Sequence, residues 1–337
     1  MTQAPLVLVD AYPRSKDMIF TPETERALLG QVRLVEHYGA RMPDAMVEAH
    51  LEQVSIIVGQ TPMDAGRLNR ARNLKAIINV KGNWEPNIDY REAQRLGIHV
   101  LSTAPVMAPA VAEMCLGMAI SLGRGIVKND QLFRSGMERY GIAGNAQALS
   151  LYDAPVGFIG YGNLGRALGP LLAPFSCSIR IYDPWLSKGY LAREGYTAAT
   201  LDEVLQQSRY LFLLAGVHTE NDGFLSRALL ETIRPDACVV LGSRAEIVDF
   251  EAFLDLAEQG RFRAAVDVFP QEPVDKASPI RERASIIFSS HLAGGMRASY
   301  QRIADSLAEE IPQLLNDLPP LLLQRAEPRL ASMQTSR

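Results

Sequence analysis

Short apolar runs alternate with stretches of helical spacing along most of this chain. Positions 6–9, 54–58, 74–80 and 98–101 are apolar runs of strand length, and 43–52, 64–72 and 88–96 carry helical spacing between them. Apolar strands interleaved with helices predict a parallel sheet covered on both faces. A second series follows, with strands expected at 156–160, 178–182, 210–215, 237–241, 264–268 and 285–289. In it a helix opens at Asn163, and another covers 251–259 with Gly260 as its left-handed cap.

Between the two series, APAVAEMCLGMAISL (108–122) reads as a long apolar helix preceded by the breakers Pro105 and Pro109. The more polar, Gly-containing stretch 124–151 reads as an arm rather than a domain. The tail is helical over 298–315, broken up by Pro312, Pro319 and Pro320, and is expected to pack back on the first series. The predicted fold class is α/β, with two doubly wound parallel-sheet domains and a cleft between them. Residues 1–102 plus 298–337 form one domain and 103–297 the other.

Composition narrows the function classes. A chain of 337 residues with 47% hydrophobic and 21% charged residues suits two soluble domains with real cores. A net charge of −4, a pI near 5.8 and no Lys/Arg run argue against a nucleic-acid partner. The N-terminus lacks the basic and apolar regions of a signal peptide, and no stretch of eighteen apolar residues is found, so no membrane partner is expected. Cys115, Cys177 and Cys238 are far apart, without CxxC or Cys/His spacing. Neither a disulfide framework nor a metal site is expected, and buried thiols suit a reducing cytoplasm.

The segment VGFIGYGNLGR (156–166) places Gly160, Gly162 and Gly165 as G-x-G-x-x-G between an expected strand and an expected helix. Gly160 makes the tight turn, Gly162 admits a pyrophosphate close to the backbone, and Gly165 lets helix and strand pack. The helix start at Asn163 and Leu164 offers N–H groups and a positive dipole end to phosphates. Three glycines alone would make only a turn. Here the next strand, SIRIYD, ends in Asp183, roughly 20 residues on, where an acid takes the ribose hydroxyls. That carboxylate repels a 2′-phosphate, so NAD is favoured over NADP.

Three further segments carry a family resemblance. VVLGSRAEIVDFEAFLDLAEQGRFRAAVDVFPQEP (239–273) resembles the signature of the D-isomer-specific 2-hydroxyacid dehydrogenases, the group of phosphoglycerate dehydrogenase and glyoxylate/hydroxypyruvate reductase. SSHLAGGMRAS (289–299) resembles that family's histidine segment, and NVKGNWEPNIDYREAQRLGIHV (79–100) its substrate loop and following helix. The resemblance implies a flavodoxin-like substrate domain, a Rossmann cofactor domain and a catalytic set of Arg244, Glu272 and His291. Reduction of a 2-oxo acid needs a hydride at the carbonyl carbon and a proton at its oxygen. A histidine donates and recovers that proton, a carboxylate fixes its tautomer, and a guanidinium fork grips the substrate's carboxylate and carbonyl.

By resemblance, Asp267 contacts the nicotinamide carboxamide, backbone at Gly242 and Gly294 lines the cofactor site, and Lys81, Gly82 and Asn83 bind the substrate carboxylate. The partners implied are a small anionic 2-hydroxy or 2-oxo acid and, through the 124–151 arm, a second copy of the chain as a homodimer. Three departures stand out: LGSRA (241–245), GVHTEN (216–221) with His218 in place of a threonine, and Trp84 and Pro86 in the substrate loop. They motivate an alternative function, an NAD-responsive binding or corepressor-like protein on the same fold.

Overall fold

The computed structural model describes residues 4–218 and 221–333. Two compact units emerge, one of Met1–Ala108 with Gly295–Arg337 and the other of Pro109–Gly294.

The first unit is built on β1 (Leu6–Asp10), β2 (Arg33–His37), β3 (Val54–Gly59), β4 (Ala76–Asn79) and β5 (His99–Ser102). The second is built on β6 (Pro155–Ile159), β7 (Ser178–Tyr182), β8 (Thr197–Ala198), β9 (Tyr210–Leu213), β10 (Cys238–Leu241), β11 (Arg263–Val266) and β12 (Ile287–Phe288). A last strand, β13 (Gln324–Arg325), returns to the first sheet antiparallel to β5. The orders are β13-β5-β4-β3-β1-β2 and β12-β11-β10-β9-β6-β7-β8, with every pairing but that of β13 parallel. The chain is thus α/β with two doubly wound sheets. The inner strands are buried throughout, as in LVLVD of β1 and CVVL of β10. Such runs form strands because both faces are covered by helices.

Three expectations need correction. β2 was hidden because its RLVEH sequence is neither an apolar run nor a clean alternation, and it is only half-buried, at the sheet edge. The helix expected at 108–122 spans Ala104–Arg124 and carries Pro109 inside it. Pro105 is tolerated because first-turn N–H groups have no helical partner, and Pro109 removes one bond near that end. This helix is also long and apolar enough to cross a membrane by length and composition. Within the second unit its Ala112, Cys115, Met118, Ala119 and Leu122 pack in a core with Phe158, Tyr210 and Phe212.

The tail helix is likewise unbroken, running Arg297–Leu315 with Pro312 in its last turns. Its Ile303, Leu307, Ile311 and Leu314 are buried against Val7, Val9 and Ile19 of the first unit. Each such side chain contributes about 1.5–3 kcal/mol relative to exposure. Glu310 is buried on the same helix, and its carboxylate accepts the N–H groups of Leu321 (2.8 Å) and Leu322 (3.0 Å), which fixes the approach to β13.

Candidate active site

The second sheet gathers its chemistry at the carboxyl ends of its strands, where ligands of doubly wound sheets bind. β6 lies between β9 and β7, so the strand order reverses there. The glycine turn follows β6 directly. Gly160 has φ +91°, and a Cβ on it would come within 2.7 Å of Ala215. A Cβ on Gly165 would meet the Tyr161 ring at 2.8 Å. Both glycines therefore answer to the protein's own packing. Gly162 does not, since a Cβ there meets nothing within 4 Å. It is the N-cap of the helix Asn163–Leu172 that carries Leu164, and its freedom from side chain leaves the helix end open to a phosphate.

Asp183 follows β7 and is held beside this turn. Its Oδ2 accepts the Tyr161 N–H at 2.8 Å and its Oδ1 the Trp185 N–H at 2.9 Å. Strand, turn, helix and acid therefore fit a dinucleotide. The Trp185 ring stands edge-on to His218, with ring centroids 6.2 Å apart, a pairing that the sequence did not announce. Of the GVHTEN segment, Thr219 and Glu220 lie outside the described residues.

Arg244, Glu272 and His291 follow three adjacent strands, β10, β11 and β12. His291 Nδ1 lies 2.7 Å from Glu272 Oε2, while Glu272 Oε1 accepts the Phe269 N–H at 3.0 Å. The carboxylate is thus fixed from one side and orients the ring from the other. The His291 side chain is 44% exposed, so its second nitrogen is within reach of a ligand. Its backbone sits in the left-handed region, φ +55°, a strained setting for a non-glycine residue.

Asp267 imposes that setting. Its carbonyl accepts the His291 N–H (2.8 Å), and its carboxylate accepts those of Leu292 (3.0 Å) and Ala293 (3.2 Å). Asp267 is 1% exposed, and its carboxylate holds the backbone of the histidine loop. Gly294 ends the same loop, half-buried.

Arg244 donates from Nη1 to Ser243 O at 2.7 Å. Burial pulls its pKa down, and the charges of Glu246 and Glu272 oppose that pull. The structure thus brings Arg244 within the electrostatic reach of the Glu272–His291 pair. Gly242, just before it, has a packing reason: a Cβ there would meet Cys115 Sγ at 2.4 Å. Glu272 also borders a cavity of about 910 Å³, walled by Met114, Phe269, Ile280 and Phe288, that no sequence motif announced.

On the first unit, the loop after β4 carries Lys81, Gly82 and Asn83. Gly82 has φ +85°, the conformation that requires glycine here. Asn79 holds the loop from both sides, accepting the Lys81 N–H at 2.8 Å and donating to Asn83 O at 2.6 Å. Lys81 Nζ is paired with Glu85 at 2.6 Å, and Trp84 is buried in the core against Tyr90, with ring centroids 6.2 Å apart. Trp84 therefore shapes the fold beneath the loop rather than a pocket wall.

Residues 116–293 match the sequence model of the D-isomer specific 2-hydroxyacid dehydrogenase, NAD binding domain. The chain is 27% identical over 273 residues to a glyoxylate reductase of Thermofilum pendens, covering 78% of each sequence. It is 29% identical over 245 residues to a D-3-phosphoglycerate dehydrogenase of Synechocystis, covering 72% of this chain and 43% of that one. Among solved structures, it resembles a phosphoglycerate oxidoreductase from Rhizobium etli with a TM-score of 0.87 and 36% identity, over 96% of this chain and 98% of the other.

Proposed function

The chain belongs to the D-isomer specific 2-hydroxyacid dehydrogenase family, whose members are nicotinamide-linked oxidoreductases, and from that premise we propose that it interconverts a small D-2-hydroxy acid and its 2-oxo acid. The observation that carries the proposal is the 2.7 Å contact between Glu272 and His291. With Nδ1 turned to Glu272, His291 presents Nε2 to the substrate oxygen, giving it a proton on reduction and recovering it on oxidation. Glu272 fixes the tautomer and the orientation of the ring. Arg244 supplies the fork for the substrate's carboxylate and carbonyl oxygen, and its partial burial strengthens that grip. Backbone N–H groups of Lys81, Gly82 and Asn83 serve the substrate carboxylate. Bound at the Gly160–Gly165 turn, the cofactor supplies or accepts the hydride.

Asp183 favours NAD over NADP in this reading. Each of its oxygens accepts one backbone N–H and keeps a lone pair for a ribose hydroxyl, while its charge opposes a 2′-phosphate. The substrate is a small anion of the kind named for the relatives, glyoxylate or phosphoglycerate. The working form is a homodimer joined through the 124–151 arm, and the compartment is the cytoplasm.

The test is NADH and NADPH oxidation against a panel of 2-oxo acids, repeated with His291→Ala. Turnover with NADH is expected for one or two acids. His291→Ala should lose about 10²–10⁴-fold in kcat while still binding NADH. An unimpaired variant removes His291 from the mechanism. A wild type that binds NADH but reduces none of the acids sinks the substrate class.

A further inference from the structure

The carboxyl edge of the first sheet, where the Lys81–Asn83 loop sits, also carries two cations without carboxylate partners among the described residues. Arg14 stands four residues past β1, in a turn closed by its N–H on Ala11 O (2.9 Å). Its guanidinium lies over the Tyr300 ring, 4.8 Å from the centroid, and its Nη1 is buried without a hydrogen-bond partner. Burial is the largest influence on that guanidinium and pulls its pKa down, against the opposing effect of Tyr300. Arg41 rests its Nη1 on the Gln60 carbonyl. Among the described residues, neither arginine has a carboxylate within ion-pair distance. Lys81, by contrast, is engaged by Glu85.

Gln60 ties these groups to the substrate loop. Its amide lies between Tyr12 O (3.2 Å) and the Val80 N–H (3.1 Å), so one side chain spans from the segment after β1 to the segment after β4. Only β3 separates those strands, which places their ends about 10 Å apart. Two more buried polar atoms here lack partners, Thr103 Oγ1 and Asn87 Oδ1. Asn87 donates to Gln60 O at 2.8 Å, and the Thr103 N–H donates to Asn79 O at 3.0 Å, so both belong to the same cluster. Asp10, a buried carboxylate at this edge, is engaged by the Met42 N–H (2.9 Å) and the Thr61 hydroxyl (3.0 Å). Native folds pair nearly all their buried polar groups. The orphaned donors, Arg14 Nη1 and Thr103 Oγ1, lie on segments that this glutamine cluster ties together, and they mark a place that a ligand's oxygens complete, whereas Asn87 Oδ1 is an acceptor that an anion does not serve.

We propose that the substrate carries a second anionic group, a carboxylate or a phosphate, and that Arg14 and Arg41 select for it. The proposal rests on the 2-oxo acid reductase reading above and narrows its substrate class. A guanidinium fork suits both anions by bidentate hydrogen bonding, and the hydroxyl of Thr103 adds a donor. An acid with one carboxylate, such as glyoxylate, leaves both forks unmatched.

Steady-state kinetics with NADH compare glyoxylate, oxaloacetate and 3-phosphohydroxypyruvate for the wild type, Arg14→Gln, Arg14→Lys and Arg41→Ala. Arg41 is exposed, so its variant tests the idea even if the Arg14 variants fold poorly. The wild type should favour a dianionic acid over glyoxylate in kcat/KM. Arg14→Gln and Arg41→Ala should each cut that preference roughly 10- to 100-fold, chiefly through KM, with Arg14→Lys recovering part of it. Preference for oxaloacetate assigns a carboxylate, and preference for the phosphorylated acid a phosphate. A wild type that prefers glyoxylate, or variants that lose both kinds of substrate equally, overturns the proposal. If none of the acids is reduced, the reductase reading fails by itself and binding decides the subsite. In that case 3-phosphoglycerate raising the Tm of the wild type but not of Arg41→Ala keeps it, and no shift in either removes it.

Discussion

At the residue scale, the histidine loop owes its geometry to one buried carboxylate. Asp267 receives two loop N–H groups, and its own carbonyl receives a third from His291. Alanine keeps the carbonyl that holds His291 but removes the carboxylate from the Leu292 and Ala293 N–H groups, at about 1–3 kcal/mol for each donor left unpaired. Asp267→Ala should therefore lose kcat comparably to His291→Ala while also lowering Tm, whereas His291→Ala should leave Tm nearly unchanged. Matching Tm values for the two would separate Asp267 from the loop. The thiols give a second residue-scale expectation. Desolvation pushes Cys115 up to about 12 and Cys238 to about 11, from an ordinary 9.0. Both stay protonated in the fold above the pH at which an unfolded chain releases those protons. Stability from this source is intact below about pH 9 and declines as pH rises towards 12. At pH 8 the thiolate fraction of Cys115 is roughly 10⁻⁴, so iodoacetamide should label it only after denaturation. Fast labelling of Cys115 in the native protein would show that the site is open. The dyad was legible because residue type, order and spacing coincide in 272–291. The role of Asp267 was not, because its partners are backbone groups that carry no sequence signal.

At the scale of elements, the two first glycines of the nucleotide turn look alike in sequence and differ in cause. Gly160 is needed by the fold, through its positive φ and the approach of Ala215, whereas Gly162 faces open space. Gly160→Ala should lower stability by about 1–3 kcal/mol in urea denaturation. Gly162→Ala should leave the unfolding free energy in urea within about 0.5 kcal/mol of wild type and weaken NADH binding at least tenfold. Equal affinity for NADH in Gly162→Ala would mean that no phosphate approaches that backbone. The strands were readable wherever both faces are buried, since an apolar run then has no alternative. β2 escaped because an edge strand with RLVEH shows neither a run nor a clean alternation. Gly242 reads as a cofactor contact in sequence, yet its constraint is Cys115, on a helix far earlier in the chain. Packing between distant segments is the part of the fold that local pattern does not encode.

At the scale of the whole molecule, the arm is the segment that the chain by itself leaves unexplained. It forms two short helices, Ile126–Arg134 and Gly141–Gly144, neither with a buried residue. Phe133 and Met137 are each 64% exposed, Tyr140 77% and Ile142 90%, within the stretch read from sequence as a polar, Gly-containing arm. Large apolar side chains crowded into one exposed segment indicate a protein interface, because soluble monomers rarely tolerate such a patch. Burying these four against a second copy would recover about 1.5–3 kcal/mol apiece, before the cost of association. Light scattering should therefore give about twice the 37.1 kDa chain mass for the wild type. Ile142→Asp combined with Phe133→Asp should give the monomer mass, since each change places a charge where desolvation is required. Circular dichroism of that variant should match the wild type, because neither side chain contributes to a core. A monomeric wild type would remove the second copy as the occupant of this surface, and a dimeric double variant would move the interface elsewhere.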